Sequence, residues 1–313
     1  MNNIFEVIQK SNNILILTHE NPDGDAIGSS VAMYYYLNGL NKRVDVLLPE
    51  IPPVFNFLTD SINVIDNSSA DYDLAIVLDC STKDRIGQNN NEFSRCNTSI
   101  VIDHHMSNKG YGSINHIEGK TSSCCEVLYY LFKKWKVSFT KELANSLITG
   151  LLTDTCGFAN SNVSHNSFKM VSELYEIEVD FHNLYNRLLS KKNIAQFNLT
   201  KIVMNRLQFF ENGQIAFSYI TKKDFIDTGA VSGDHEGLVD IGRNIDGVEV
   251  SIFIREDDNY IISLRSNGKV DVSKVALKLG GGGHIEAAGA KIDKNFEETK
   301  EIIINEIKKE LLS

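Results

Sequence analysis

Eight side chains in this sequence are of the types that hold divalent cations, and they fall in four short groups: His19, Asp23 and Asp25; Asp79; Asp103, His104 and His105; and Asp154. Hard carboxylate oxygens mixed with imidazoles suit Mn²⁺ or Mg²⁺ better than structural zinc. Their number exceeds what one catalytic ion with open positions needs. Two ions a few ångströms apart, sharing one bridging carboxylate, fit the count. Such a pair activates water and neutralises the charge of a phosphoryl group during in-line displacement. A single structural ion is the plainer alternative, but it leaves unexplained why ligands gather at an open strand edge.

The elements that must position these groups are legible from pattern. Ile14 to Leu17 is a continuous apolar run, which reads as a strand buried on both faces. A polar loop follows, in which Pro22 and Gly24 force turns that aim His19, Asp23 and Asp25 at one point. From Ala26 to Leu40 the pattern is helical, closing at Gly39. Strand, loop and helix make the first half of a parallel βαβ unit, and ligands of such sheets bind beyond the carboxyl ends of the strands. The bland reading is a polar turn with Asp25 capping the helix. Recurrence argues against it: Leu74 to Leu78 ends in Asp79, and Ser99 to Ile102 ends in Asp103, His104 and His105. Asp154 closes an apolar helical face of Leu143, Leu147 and Leu151. A negative charge there opposes the helix dipole and calls for a positive partner, which a metal supplies.

At 313 residues the chain suggests two domains. The expected division is a metal-bearing parallel-sheet α/β domain over 1–185, a helical connector over 186–208, and a smaller α+β domain over 209–313. In the first, a leading helix covers Asn2 to Gln9, a second strand Arg43 to Leu48, a short edge strand Ile62 to Ile65, and helices Cys124 to Trp135 and Glu142 to Thr153. Ser167 to Gln208 is largely helical in pattern. Strands are then expected at Gln214 to Ile220, Val248 to Arg255 and Tyr260 to Arg265, the last two joined by a hairpin at 256–259. Asp271 begins a helix that ends at Leu279 in Gly280-Gly281-Gly282-Gly283-His284, and a final helix runs from Phe296 to Leu312.

The net charge is −10, with no Lys/Arg run or basic-aromatic stripe, which argues against long DNA or RNA as a partner. Local cations still suffice for a small phosphorylated ligand. No apolar stretch approaches the length of a membrane span, and Met1 leads straight into an amphipathic helix, so a cytoplasmic location and no membrane partner are expected. The five cysteines are odd in number and lack zinc-site spacing. Cys80 and Cys156 lie near the acids but read as small packing residues.

His19-x3-Asp23-x-Asp25, Asp79, Asp103-His104-His105 and Asp154 together resemble the four motifs of the DHH phosphoesterase superfamily. Gly280-Gly281-Gly282-Gly283-His284-x2-Ala287-Ala288-Gly289 resembles the signature of the DHH-associated C-terminal domain. Gly242 to Val248 and Ser263-Leu264-Arg265-Ser266 look like one subgroup, the bifunctional oligoribonucleases (nanoRNases) and 3′-phosphoadenosine 5′-phosphate (pAp) phosphatases. The resemblance implies one ion on His19, Asp23 and Asp79, and another on Asp25, Asp79, His104 and Asp154, with Asp79 bridging. It implies that Asp103 orients a histidine and that His105 faces the scissile phosphate, as a ligand-binder or proton donor. Gly281, Gly282 and Gly283 would offer backbone N–H groups to a nucleotide, with His284, Arg265 and Arg243 contacting its base or terminal phosphate, in a cleft between the domains. Two departures stand out. Ile285-Glu286 replaces a basic residue common in relatives, and Cys156 replaces a glycine.

The resulting expectation is a hydrolase, a manganese-dependent exonuclease on RNA oligomers of about two to five nucleotides that also dephosphorylates pAp; an acidic surface disfavours longer chains. Its partners would be short oligoribonucleotides, dinucleotides and pAp, not duplex, and a homodimer is compatible with the sequence. The nearest alternative is a cyclic-dinucleotide enzyme acting on pApA or cyclic di-AMP. A manganese pyrophosphatase, a RecJ-like DNA exonuclease and a nucleotide-sensing module with an inactive site fit less well.

Overall fold

The computed structural model describes residues 2–231 and 233–312. Among these residues one sheet holds β1 (Asn13–Leu17), β2 (Arg43–Leu47), β3 (Val64–Ile65), β4 (Leu74–Leu78), β5 (Ser99–Asp103) and β6 (Ile114–Ile117). Their order is β3-β2-β1-β4-β5-β6, and every neighbouring pair is parallel. The apolar runs are buried on both faces, as their composition predicts. Ile14 and Ile16 of β1 join the core formed with helices Gly24–Gly39, Cys124–Lys134 and Lys141–Asp154, while Leu15 and Leu17 face Tyr72, Ile86 and Phe93. Each such side chain contributes roughly 1.5–3 kcal/mol on burial. This core holds the ends of β1, β4 and β5 in place.

Strand succession runs outward from β1 through β2 to β3, then returns to β4 on the other side of β1. That reversal opens a crevice at the carboxyl ends of β1 and β4. The loops bearing His19, Asp79 and His104 leave the sheet at this end, and Asp103 is the last residue of β5.

The chain divides into two compact units, Met1–Lys191 and Lys192–Ser313. In the second, β7 (Gln208–Phe210), β8 (Ile215–Ile220), β9 (Val250–Glu256), β10 (Tyr260–Ser266), β11 (Gly282–Gly283) and β12 (Ala287–Ile292) form a sheet ordered β11-β12-β10-β9-β8-β7. All neighbours are antiparallel except β8 and β9. Val250, Ile252, Ile262 and Leu264 pack with residues of helices Val272–Lys278 and Phe296–Leu311. The α+β expectation holds. Four strands escape the pattern reading, β11 because two glycines carry no side-chain signal, and the others for identifiable reasons. β12 is built from Ala-Ala-Gly-Ala-Lys-Ile, too small-sided to show alternation, and β7 reads as the tail of the preceding helix. β6 is short and only half buried. Among the described residues no helix is long and apolar enough to cross a membrane.

Candidate metal centre

Helix Gly24–Gly39 begins at Asp23, whose Oδ1 accepts hydrogen bonds from the backbone N–H groups of Asp25 and Ala26, both at 3.0 Å. The cap is therefore Asp23, not Asp25 as the simplest reading of the turn supposes. Asp25 points elsewhere. Its carboxylate accepts from the backbone N–H groups of Cys124 (2.5 Å) and Cys125 (2.9 Å), the first turn of helix Cys124–Lys134. Here an anion meets the positive end of a helix. Helices Gly24–Gly39 and Lys141–Asp154 approach closely because of two glycines. A Cβ on Gly28 would lie 2.6 Å from the Ser146 carbonyl oxygen, and one on Gly150 would lie 2.5 Å from Asp25 Oδ1. That contact brings the start of one helix, with Asp25, beside the end of the other, at Asp154.

The imidazoles complete two groups. His104 Nε2 lies 3.5 Å from Asp79 Oδ1, 3.6 Å from Asp154 Oδ2 and 3.9 Å from Asp25 Oδ2. His19 Nε2 lies 3.8 Å from Asp79 Oδ2 and 4.0 Å from Asp23 Oδ2. The two oxygens of Asp79 thus face different histidines. Ligand atoms of His19, Asp23 and Asp79 all lie within 4.8 Å of one another, as do those of Asp25, His104 and Asp154. Backbone carbonyls fix the rings, Glu20 at 2.8 Å from His19 Nδ1 and Thr121 at 3.4 Å from His104 Nδ1.

Charge in this cluster is uncompensated by protein cations. Among the described residues no lysine or arginine forms an ion pair with Asp23, Asp25, Asp79, Asp103 or Asp154. Burial, then the neighbouring Asp25, Asp23 and Asp154, push the Asp79 carboxyl well above its ordinary range. Burial also raises the Asp25 carboxyl, and burial with Asp25 nearby lifts Asp154 to about 8. Asp79 Oδ1 is also buried without a hydrogen-bond partner, and the residue sits at φ 51°, a left-handed conformation uncommon outside glycine. Buried like charges at this density are strongly unfavourable unless a cation joins them. The donor set fits divalent metal.

A third set, Asp79, His104 and His105, also lies within that ligand-atom spacing. Its chemistry differs, because His105 Nδ1 is engaged by Asp103 Oδ1 at 2.7 Å. Asp103 is fully buried and also takes hydrogen bonds from the His104 N–H (2.9 Å) and the Asn108 side-chain amide (2.6 Å). Asn108 and the carbonyls of Glu20 and Thr121 were invisible to a search for ligand residue types. They act by holding ligands, and nothing in their spacing marks them.

In the second unit, Arg243 and Arg265 converge on Asp240, with Nε–Oδ1 distances of 3.0 and 3.8 Å. Arg265 pairs in register with Ala287, whose carbonyl accepts from the His284 N–H at 2.7 Å. Arg243, Arg265 and His284 therefore gather at one end of this sheet. The glycine run divides by cause. Gly280, at φ 79°, closes helix Val272–Lys278 through a Schellman pair, Gly280 N to Leu277 O at 3.1 Å and Gly281 N to Ala276 O at 2.8 Å. A Cβ on Gly281 would lie 2.0 Å from the Gly289 carbonyl oxygen, and one on Gly283 2.4 Å from Ala288 Cα, so close backbone packing explains both. At Gly282 a Cβ would meet nothing.

The DHH family, N-terminal domain, matches residues 13–151, and the DHHA1 domain matches residues 212–311. A bifunctional oligoribonuclease and PAP phosphatase NrnA from Thermus thermophilus is 29% identical, over 95% of this chain and 90% of its own length. A protein of the same description from Bacillus subtilis is 28% identical over 92% of each chain. The crystal structure of an exopolyphosphatase-related protein from Bacteroides fragilis superposes with a TM-score of 0.92 at 27% identity, covering 98% of this chain and 95% of that one.

Proposed function

Since this chain belongs to the DHH family and carries a DHHA1 domain, we propose that it is a divalent-metal hydrolase of phosphate esters whose substrates are short RNA oligonucleotides and pAp. The observation that carries this reading is Asp79, a buried carboxylate shared between two His/Asp groups at the sheet's switch point. Full-length similarity to relatives described as oligoribonucleases and PAP phosphatases supports the substrate class.

In this reading His19, Asp23 and Asp79 would hold one ion, and Asp25, Asp79, His104 and Asp154 would hold the other. Divalent ions bound there, Mn²⁺ in preference to Mg²⁺, would supply activation of water and neutralisation of charge on the phosphoryl group. The protein's own part is positional. The N–H groups of Cys124 and Cys125 fix Asp25, and the Glu20 and Thr121 carbonyls fix the two rings. Asp103 fixes the Nδ1 side of His105, so contact with the phosphate or the leaving oxygen is made through Nε2. Arg265, His284 and Arg243 grip the remainder of the nucleotide, with the N–H groups of Gly282 and Gly283 as further donors; Gly281, expected to be a donor as well, has its N–H bonded to the Ala276 carbonyl.

The test is hydrolysis by purified protein with Mn²⁺ of pAp, RNA dinucleotides to pentanucleotides, pApA, cyclic di-AMP and pyrophosphate. Turnover of pAp and short RNA is expected. A strong preference for pApA or cyclic di-AMP moves the assignment to the cyclic-dinucleotide pathway. No turnover of any substrate overturns the enzymatic reading.

A further inference from the structure

His19 borders a cavity of about 280 Å³ walled by residues 20–22, 47–50 and 88–89. It opens past the carboxyl ends of β1 and β2. One wall is apolar, from Pro22, Leu47, Leu48 and Pro49, and the remaining side chains are Glu20, Asn21, Glu50, Gln88 and Asn89. The volume is just below the ~300 Å³ at which small-molecule pockets begin, which suits one nucleoside-sized group.

Asn89 is the informative residue. It is only 6% exposed. It stands at the start of helix Asn90–Arg95, where asparagine ordinarily caps the free N–H groups, yet its side chain makes no capping hydrogen bond. Its amide atoms are not among the buried polar atoms left without a partner, so the amide, freed from the cap, reaches solvent. An amide that caps nothing and reaches solvent in the cavity lining is available to donate to and accept from a ligand there.

We propose that this cavity is a nucleobase subsite, taking the base of a nucleotide next to the scissile phosphate; the inference rests on the nuclease reading and deepens it. The apolar wall accepts a planar ring, and the amides of Asn21, Gln88 and Asn89 read its edge. Glu20 and Glu50 are acceptors only when ionised, so they favour bases presenting N–H groups and oppose carbonyl edges and phosphates. Guanine, with N1–H and an amino group, fits best. Uracil, with two carbonyls, fits worst. The same carboxylates make the cavity a poor phosphate site, so it discriminates between substrates. A dinucleotide supplies a second base to fill it, and pAp does not.

Hydrogen–deuterium exchange of the full chain with millimolar guanosine or uridine tests this directly. Guanosine should slow exchange in residues 46–50 and 86–90 more than uridine does, and Asn89→Ala should abolish the difference. The same variant should lower kcat/KM for a guanine dinucleotide relative to pAp by about tenfold. Glu50→Gln, at an exposed position, should narrow the preference for guanosine over uridine. Failure of every nucleoside to protect these segments in the wild-type protein overturns the proposal. So does an equal fall for dinucleotide and pAp in Asn89→Ala, or an unchanged base preference in Glu50→Gln. If guanosine protects the cavity while the wild-type protein hydrolyses neither pAp nor RNA, the nuclease reading falls and the subsite stands.

Discussion

Asp103 Oδ1 lies 2.7 Å from His105 Nδ1, and Asp103 is fully buried. Burial works against its charge, but the hydrogen bonds from His105 and Asn108 outweigh it and hold the carboxyl below its ordinary range. An ionised Asp103 only accepts, so His105 donates from Nδ1. Asp103→Asn offers an amide of the same shape without the charge. Turnover should fall about 10–100-fold while metal binding, measured by calorimetry, persists. Loss of metal binding to the same extent as turnover would make Asp103 a structural support of the ligands instead.

Asp79 faces both histidines, so its loss should affect both metal positions. Its left-handed φ of 51° is tolerated by asparagine better than by alanine, which makes Asp79→Asn the cleaner substitution. We expect a fall of ~10³ or more in turnover with the fold intact by circular dichroism. Retention of a tenth of wild-type turnover at saturating Mn²⁺ would refute a shared ligand.

The raised carboxyls make metal affinity depend on pH. Asp154 titrates near 8 in the folded, metal-free protein against 3.8 ordinarily. A raised acid favours folding when protonated, so its contribution to metal-free stability is lost as pH climbs from about 4 towards about 8. A cation must displace that proton. Affinity should therefore climb with pH, by roughly tenfold per unit from Asp154 alone, and level off above about 8. A flat calorimetric profile between pH 6 and pH 8 would contradict this.

Metals act on any phosphoryl group, so choice among substrates must come from what holds the rest of the molecule. Arg265→Ala and His284→Ala should lower kcat/KM for dinucleotides and pAp by ~10–10³-fold, since a charge-assisted contact contributes about 1.5–3 kcal/mol and more than one contact is disturbed. Hydrolysis of bis-p-nitrophenyl phosphate should fall much less. A parallel fall would assign these residues to scaffolding. Glu286→Lys places a cation just after the glycine-histidine run and should favour pAp over dinucleotides lacking a terminal 3′-phosphate.

With a net charge of −10 and no basic track, each phosphate beyond the first few adds little binding. Rates per RNA end should drop beyond about five nucleotides, and duplex should be refused. Processive degradation of a long single strand, followed by gel, would be the contrary result.

What was legible in the sequence was local. Strands buried on both faces need uninterrupted apolar runs, so Ile14–Leu17, Leu74–Leu78 and Ser99–Ile102 announced themselves, and the polar residues that end them became the candidate ligands. The tertiary structure decided which atoms meet. Asp25 and Cys124 lie 99 residues apart, and only the packing of three helices sets that carboxylate on a helix N-terminus while leaving the cap to Asp23. It also gave Gly281 and Gly283 a steric reason that composition cannot reveal, because a clash between a Cβ and a partner strand depends on register. Asn89 shows the limit most plainly. Nothing in the sequence singles it out, and only the folded chain sets it at a helix start in the lining of a cavity that His19 borders. Side-chain type and period are written along the chain, whereas the partner of each polar atom is set by contacts between distant segments.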